Sequence, residues 1–440
     1  MKIACAKKVS GEIGLPGDKS ISHRAAIIGS IADGVTRISD FSEGADCAST
    51  LACLSALGIG IEREGQTVRV FGRGKHGLSA PSEALDCGNS GTTARLLAGV
   101  LAGQPFRSTL SGDSSLRSRP MNRVIEPLLK MGAAVESSAG TLPLTVEGKH
   151  PLDPIAYQLP VASAQVKSCV LLAGLFADGI TSVTEPKSGS PGPVSRDHTE
   201  LMLLYFGAEI EEIDFPVERE FEHSVKIDGA SRLEGRHVSV PGDISSAAFL
   251  IAAAAGLEGS SIKLRNVGLN PTRLGVIEAL RRTGASIEIE QTAAEGGEPS
   301  GTIAVRGGLD SPKNALVFGG RSIANLIDEL PVLAVLGTRL EGGIEVRDAV
   351  ELRKKESDRI SAVVTNLRKM GAEVEEFDDG FRVGRSELKG ALLDSFGDHR
   401  IAMAFAVAGL FAEGDSRIEG AECVDVSFPG FFGVLGSIVS

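Results

Sequence analysis

The sequence predicts an α/β protein of six similar modules in two lobes, on three observations. First, an apolar, helix-like stretch runs five times into one ending: LGIGIE (57–62), MGAAVE (131–136), FGAEIE (206–211), TGASIE (283–288) and MGAEVE (370–375). Second, the repeated glycines Gly58, Gly132, Gly207, Gly284 and Gly371 stand 74, 75, 77 and 87 residues apart, well beyond the roughly 20 to 50 residues of common solenoid units, so each repeat is a folding module. Third, LPGDKSISHRAAIIGSIADG (15–34) is echoed by VPGDISSAAFLIAAAAGLEG (240–259), which divides the chain into two halves.

Each ending reads as a helix stopped by a glycine that tolerates positive φ, followed by a short strand with apolar residues on one side. The first half carries three such units. The second carries two, and a degenerate third is expected in FPGFFGVLGSIVS (428–440). Strand-like runs such as IKLRNV (262–267) and GIEVRDAV (343–350) alternate with the helices, the pattern of an α/β fold. The PGD turns at 16–18 and 241–243 are the natural places for the chain to cross between lobes, because Pro and Gly punctuate there.

The helix starts carry the functional signal. First turns ordinarily favour Asp or Glu, since their backbone N–H groups bear partial positive charge. Here Lys19 and Arg24 open GDKSISHRAAIIGS, Arg119 and Arg123 open RPMNRVIEPLLKMGA, and Arg196 opens SRDHTELMLLYFGA. Lys354, Lys355 and Arg359 open KKESDRISAVVTNLRKMGA, and Arg400 opens GDHRIAMAFAVAG. A cation stacked on a positive helix end is costly unless an anion occupies the site, so five such starts point to phosphate or carboxylate ligands.

Composition narrows the class. The chain has 440 residues, 42% hydrophobic and 23% charged, with a formal net charge of −12. That length suffices for two cores, and the acidic balance argues against nucleic acid or an anionic membrane as partner. The long apolar run IAMAFAVAGLFA (401–412) falls short of a membrane span, and MKIACAKKVSGEIGLPGD lacks a signal-peptide core, so a cytoplasmic protein is expected. Six cysteines form no CxxC pair and seven histidines no HExxH, so neither a disulfide framework nor a metal site is expected.

GDKSISHR, GNSGTTARLL, RPMNRV, SAQVK, SRDHTE, IDELPVLA, KKESDR and GDHRIAM, in this order across nearly the whole chain, resemble the 5-enolpyruvylshikimate-3-phosphate synthase family. The resemblance implies two inverse, barrel-like α/β domains, each of three βαβαββ repeats, with the active site in the inter-domain cleft. Residues 1–17 and 241–440 would form a discontinuous domain built from both chain ends, with 18–240 inserted. It also implies the reaction: phosphoenolpyruvate and shikimate 3-phosphate give the enolpyruvyl ether and phosphate. The expected partners are these two small molecules, with no cofactor, and a monomer is expected.

By the same resemblance, Lys19, Ser20, Arg24, Ser163, Ala164, Gln165, Arg196, Asp328 and Lys355 line the shikimate 3-phosphate, Ala164 through its backbone alone. Lys19, Gly91, Arg119, Gln165, Arg359 and Arg400 hold phosphoenolpyruvate, with Gly91 leaving room for an oxyanion to approach the loop. The chemistry is addition followed by elimination, for which two carboxylates in opposite protonation states are useful. Asp328 is the expected hydroxyl base and Glu356 the donor to C3, with Lys19 as a rival proton carrier. Residues from both halves sharing one site further imply closure on the first substrate.

Taken singly, each motif has a plainer reading: IDELP as solvated acids, KKESDR as a charged helix face, DHR as a helix cap with His399 packed beside it. The ordered set is what carries the inference. NPTRLG (270–275) and the PGDISSAAF turn are assigned to structure. Three positions depart from the family's commoner pattern: Val426 stands in place of a Lys, Glu351 in place of an Asn, and His198 aligns with a Tyr. A sister family acting on UDP-N-acetylglucosamine fits less well, since Ser20 follows Lys19 where that family has Asn, and Ser114 stands where it has Cys.

Overall fold

A computed structural model of the chain describes residues 1–295, 297–310, 312–320 and 322–440, the backbone alone at 292–295. Among the described residues the strands form six small sheets, and one pairing plan runs through all of them. On the central strand Asp33–Ser39, His237–Ser239 lies parallel on one side; Thr67–Arg73 pairs antiparallel on the other side and takes Gly60–Glu64 as outer strand. The sheets centred on Arg107–Ser111, Ile180–Thr184 and Ile344–Val346 repeat this plan. So does the sheet centred on Ser261–Gly268, with Ser10–Gly14 as its parallel neighbour. The sixth sheet stops at three strands: Leu392–Asp394 lies parallel to Ser416–Glu419, and the N-terminal Lys2–Ile3 closes it antiparallel. This is the degenerate module the C-terminal sequence predicts.

The chain divides into two compact units. One comprises Met1–Pro16, Pro241–Ala293 and Pro299–Ser440; the other comprises Gly17–Val240 with Ala294–Glu298. Each holds three of the sheets and one continuous apolar core. The PGD turns are where the chain passes from one unit to the other, and they explain the 15–34 and 240–259 echo. Ser10–Gly14 is the first strand of a module whose helix is Ile244–Gly256, whereas His237–Ser239 is the first strand of a module whose helix is Lys19–Ser30. The two modules have exchanged leading strands, so both need the same turn. At Gly17 a Cβ would sit 1.8 Å from the Asp40 carbonyl oxygen, which restricts the position to glycine.

Within each module the helix after the parallel strand is buried in the core. Ile244–Gly256 and His399–Phe411 are buried at every residue, and Leu330–Gly337 likewise; Lys19–Ser30, Gly91–Ala102 and Ala164–Gly174 are buried over most of their length. A helix apolar on all sides has no solvent face for polar residues. Most of the polar residues these helices carry gather in the first two turns, and that gathering creates the site.

The five repeated endings have the expected geometry. Gly58, Gly132, Gly207, Gly284 and Gly371 adopt φ of 84°, 89°, 103°, 83° and 82°. Strands then begin at Gly60, Ala134, Ile210, Ala285 and Val374.

Candidate active site

In the unit containing Gly17–Val240, three buried helices bring their first turns together. Asp18 caps Lys19–Ser30 by accepting from the Ile21 N–H at 3.0 Å, Ser90 caps Gly91–Ala102, and Ser163 caps Ala164–Gly174. Lys19, the first helical residue, donates to Asp46 at 2.9 Å. Gln165 accepts from Arg95 Nη1 at 2.8 Å and donates to Thr92 at 3.0 Å, tying two first turns side by side. Gly91, Thr92 and Arg95 thus share one corner with Gln165. A Cβ at Gly91 would lie 2.5 Å from Arg95 Nη1, so the missing side chain leaves this guanidinium its place.

Arg119 precedes its helix, Asn122–Lys130, by three residues. Its Nη2 donates to Asn89 Oδ1 at 2.6 Å and to Ser115 at 3.1 Å, while Asn89 donates in turn to Asp113. Arg95 Nη2 also donates to the Pro120 carbonyl at 3.1 Å, which anchors the segment carrying Arg119.

Arg24 lies one turn deeper than Lys19 and is 3% exposed. Its Nε donates to Thr199 at 2.7 Å, Nη2 to Ser168 at 2.9 Å and Nη1 to the Ser20 carbonyl at 2.9 Å. Burial pulls this guanidinium down to about 10, against the opposing pull of Glu200 and Asp18. It joins the helix starts that bear Ser20, Ala164 and Arg196. His198, the first residue of His198–Phe206, is buried and its Nδ1 lies 2.6 Å from Glu298 Oε1.

In the other unit the same corner is built around carboxylates. Arg359, 1% exposed, contacts three of them: Asp398 at 2.8 Å, Glu356 at 2.6 Å and Asp328 at 3.3 Å. Burial opposes the charge of Arg359, but Asp398, Glu356 and Asp328 outweigh it and hold its pKa above the ordinary arginine value. Asp328 also lies 3.6 Å from Arg400 and 3.9 Å from Lys355, so one carboxylate meets three cations. Asp398 does two jobs, since its Oδ1 also caps His399–Phe411 by accepting from the Arg400 N–H at 2.9 Å.

Arg273 of NPTRLG donates to Ser245 at 2.7 Å; Ser245 donates to Glu329, and Glu329 stands 3.5 Å from Arg400. The motif assigned to structure therefore supports the first turns beside Arg400.

The sequence-predicted residues thus fall into two groups. Lys19, Ser20, Arg24, Gly91, Arg119, Ser163, Ala164, Gln165 and Arg196 belong to one unit; Asp328, Lys355, Glu356, Arg359 and Arg400 belong to the other. One boundary differs from expectation: Lys354, Lys355 and Glu356 precede the helix, which begins at Arg359 with Asp358 as its cap. Among the departures, Glu351 lies in the short 3-10 helix Val350–Lys354 and Val426 ends another, Ala421–Val426.

Sequence reading by cationic helix starts missed Arg95, which sits in a second turn, Asp46 and Glu329, which are acids, and the pairing of the cap Asp398 with Arg359. GNSGTTAR does place Arg95 four residues after Gly91, one helical turn along the same face. Among the described residues no helix is long and apolar enough to cross a membrane.

Comparison with known proteins shows the family. A family model described as EPSP synthase (3-phosphoshikimate 1-carboxyvinyltransferase) matches residues 3–435. The 3-phosphoshikimate 1-carboxyvinyltransferase of Desulforamulus reducens is 50% identical over 439 residues, covering 98% of each chain, and that of Brevibacillus brevis is 48% identical over 441 residues, covering 100% of this chain and 99% of its own. The solved structure of an EPSP synthase from Acinetobacter baumannii superposes with a TM-score of 0.84 at 40% identity, covering 99% of this chain and 97% of that one.

Proposed function

The chain belongs to the EPSP synthase family, and from that membership we propose how its helix starts divide the labour of the reaction. The enzyme transfers the enolpyruvyl group of phosphoenolpyruvate to the 5-hydroxyl of shikimate 3-phosphate and releases phosphate, a step of aromatic amino-acid biosynthesis. Two phosphates and two carboxylates must be brought together, so neutralising crowded negative charge at helix N-termini is the first requirement. Lys19, Ser20, Arg24, Ser163, the Ala164 backbone, Gln165, Arg196 and Lys355 take the shikimate 3-phosphate. Lys19, Gly91, Arg119, Gln165, Arg359 and Arg400 take phosphoenolpyruvate.

Asp328 is the base. The observation that most supports this role is its position against Arg359, Arg400 and Lys355, cations assigned to both substrates. Asp328 accepts the 5-hydroxyl proton, the oxygen attacks C2, and a proton is delivered to C3. The tetrahedral intermediate then loses phosphate as a C3 proton departs. Glu356, paired with Arg359 at 2.6 Å, supplies the C3 proton once bound anions compete for that guanidinium; Lys19, paired with Asp46, is the alternative carrier.

We further propose that the enzyme works as a monomer in the cytoplasm, with no nucleic-acid partner, as its net charge of −12 favours. Equilibrium sedimentation at a mass of 45.7 kDa is the expected result, and a dimer mass would refute the first part. The function itself is tested by phosphate release from phosphoenolpyruvate. Release is expected with shikimate 3-phosphate and not with UDP-N-acetylglucosamine, and the reverse pattern would overturn the assignment.

A further inference from the structure

SAQVK and SRDHTE contain two residues to which the mechanism gives no task, Lys167 and Glu200. Lys167 lies two residues past Gln165 with its side chain fully buried. Its ammonium stands 2.7 Å from Glu200 Oε1 and 3.2 Å from Glu185 Oε2, and it donates to the Ser195 carbonyl at 3.3 Å. Both acids are buried as well. Burial opposes the charge of Lys167, but Glu200 and Glu185 outweigh it and hold its pKa above the ordinary lysine value.

Glu185 spends its two oxygens on the chain just ahead of Arg196. Oε2 accepts from the Val194 N–H at 2.9 Å, and Oε1 accepts from the Ser195 N–H at 3.0 Å and from the Ser195 hydroxyl. Every polar group of Ser195 is therefore committed to Lys167 or Glu185. On the other side of Arg196, Thr199 bonds Arg24 and Ser168, and Glu200 meets Lys167. Ser168 in turn donates to the Ala164 carbonyl at 2.6 Å.

We propose that Lys167, with Glu185 and Glu200, is a positioning device: it fixes the distance between the first turn Ser163–Ala164–Gln165 and the segment that presents Arg196 to the 3-phosphate of the shikimate substrate. This rests on the reading of Arg196 as a phosphate ligand. A buried lysine between two buried acids is a poor source of stability compared with apolar packing, but it holds three segments in one register. Lys167 touches no substrate; it acts through the Val194–Ser195 backbone. Removing Lys167 or the Glu185 charge frees that backbone, and Arg196 loses its aim while the phosphoenolpyruvate contacts stay.

The test is steady-state kinetics on Lys167→Met, Glu185→Gln, Lys167→Arg, Arg196→Ala and the double variant Lys167→Met/Arg196→Ala. Arg196→Ala is expected to raise KM for shikimate 3-phosphate about tenfold or more, as loss of a charge-assisted phosphate contact does. Lys167→Met raises the same KM comparably, with KM for phosphoenolpyruvate and kcat changed less than about threefold, and Lys167→Arg restores much of the loss. If Lys167→Met does not fold, Glu185→Gln, which keeps the Lys167–Glu200 pair, reports the same selective effect.

In the double variant the two effects do not add, because both act through one guanidinium. An elevated KM in Arg196→Ala beside an unchanged KM in folded Lys167→Met and Glu185→Gln overturns the positioning role and leaves the ligand reading intact. Equal losses in both KM values and kcat also overturn it. An unchanged KM in Arg196→Ala overturns the ligand reading, and this inference with it.

Discussion

Asp328 sits against three cations and Arg359 against three carboxylates, so substitution at each position leaves a different surplus. Asp328→Ala removes the base but leaves the guanidinium groups in place. Turnover is expected to fall by about 10² to 10⁴, the usual worth of general base catalysis, while shikimate 3-phosphate still binds in a calorimetric titration. Unchanged turnover would remove Asp328 from the mechanism. Arg359→Ala strands the buried Asp398 carboxylate instead, and the expected loss is about 3 to 5 kcal/mol of stability, read by urea denaturation.

His23 makes a pH prediction of its own. Burial pushes it from 6.5 to about 3, and its Nδ1 bonds Thr50 at 2.7 Å while Nε2 has no hydrogen-bond partner among the described residues. The folded chain keeps it neutral where the unfolded chain protonates it, so its contribution is whole above pH 6.5 and is lost as pH falls toward 3. The slope is about 1.4 kcal/mol per pH unit within that window. Between pH 7 and pH 5 the parent protein should therefore lose about 2 kcal/mol more than His23→Gln does. Equal losses would mean that His23 is not held neutral.

At the scale of the element, the repeated glycine shows what a single chain of letters reveals. Its spacing, the helix it ends and the strand it starts were all readable, because positive φ and apolar periodicity are local properties. Two of these glycines now differ. At Gly371 a Cβ would meet nothing within 4 Å, whereas at Gly284 it would lie 2.2 Å from the Asp310 carbonyl oxygen. Gly371→Ala should therefore cost only the left-handed backbone strain, about 1 to 2 kcal/mol, and Gly284→Ala distinctly more. A reversed order in thermal denaturation would contradict the packing described at Gly284.

The helix starts were legible as cations for a similar reason, since Lys19, Arg119, Arg196, Arg359 and Arg400 each stand beside a start signal in the sequence. Their buried counterparts were not. Asp46, Glu185 and Glu329 are paired across 18 to 71 residues, and nothing local distinguishes such an acid from the many on the surface; Asp398 was legible as a helix cap but not as the partner of Arg359, 39 residues away. Arg95 and Lys167 were hidden differently, as cations inside apolar helices, where periodicity reads only as core.

The whole molecule is two cores on one chain, and the inserted unit has its ends together: a Cβ on Gly17 would lie 3.1 Å from Val240 Cγ1. The flanking unit closes the same way, with the Asp243 N–H donating to the Pro16 carbonyl at 3.0 Å. Residues 18–240 expressed alone should therefore unfold cooperatively on heating, since three sheets and a continuous core lie within them. A non-cooperative, molten response would show that the inserted unit depends on the rest of the chain.

The three-stranded sheet carries a different consequence, one of time. Lys2–Ile3 pairs with Ser416–Arg417, so this strand waits for a partner made more than 400 residues later. At ribosomal rates of about 5 to 20 residues per second, that wait lasts roughly 20 to 80 seconds. In that interval the inserted unit acquires every strand it needs, while Lys2–Ile3 stays unpaired until Ser416–Arg417 is made. Birth order on the ribosome, rather than final stability, then decides which half of the enzyme is exposed to chaperones and proteases, and for how long.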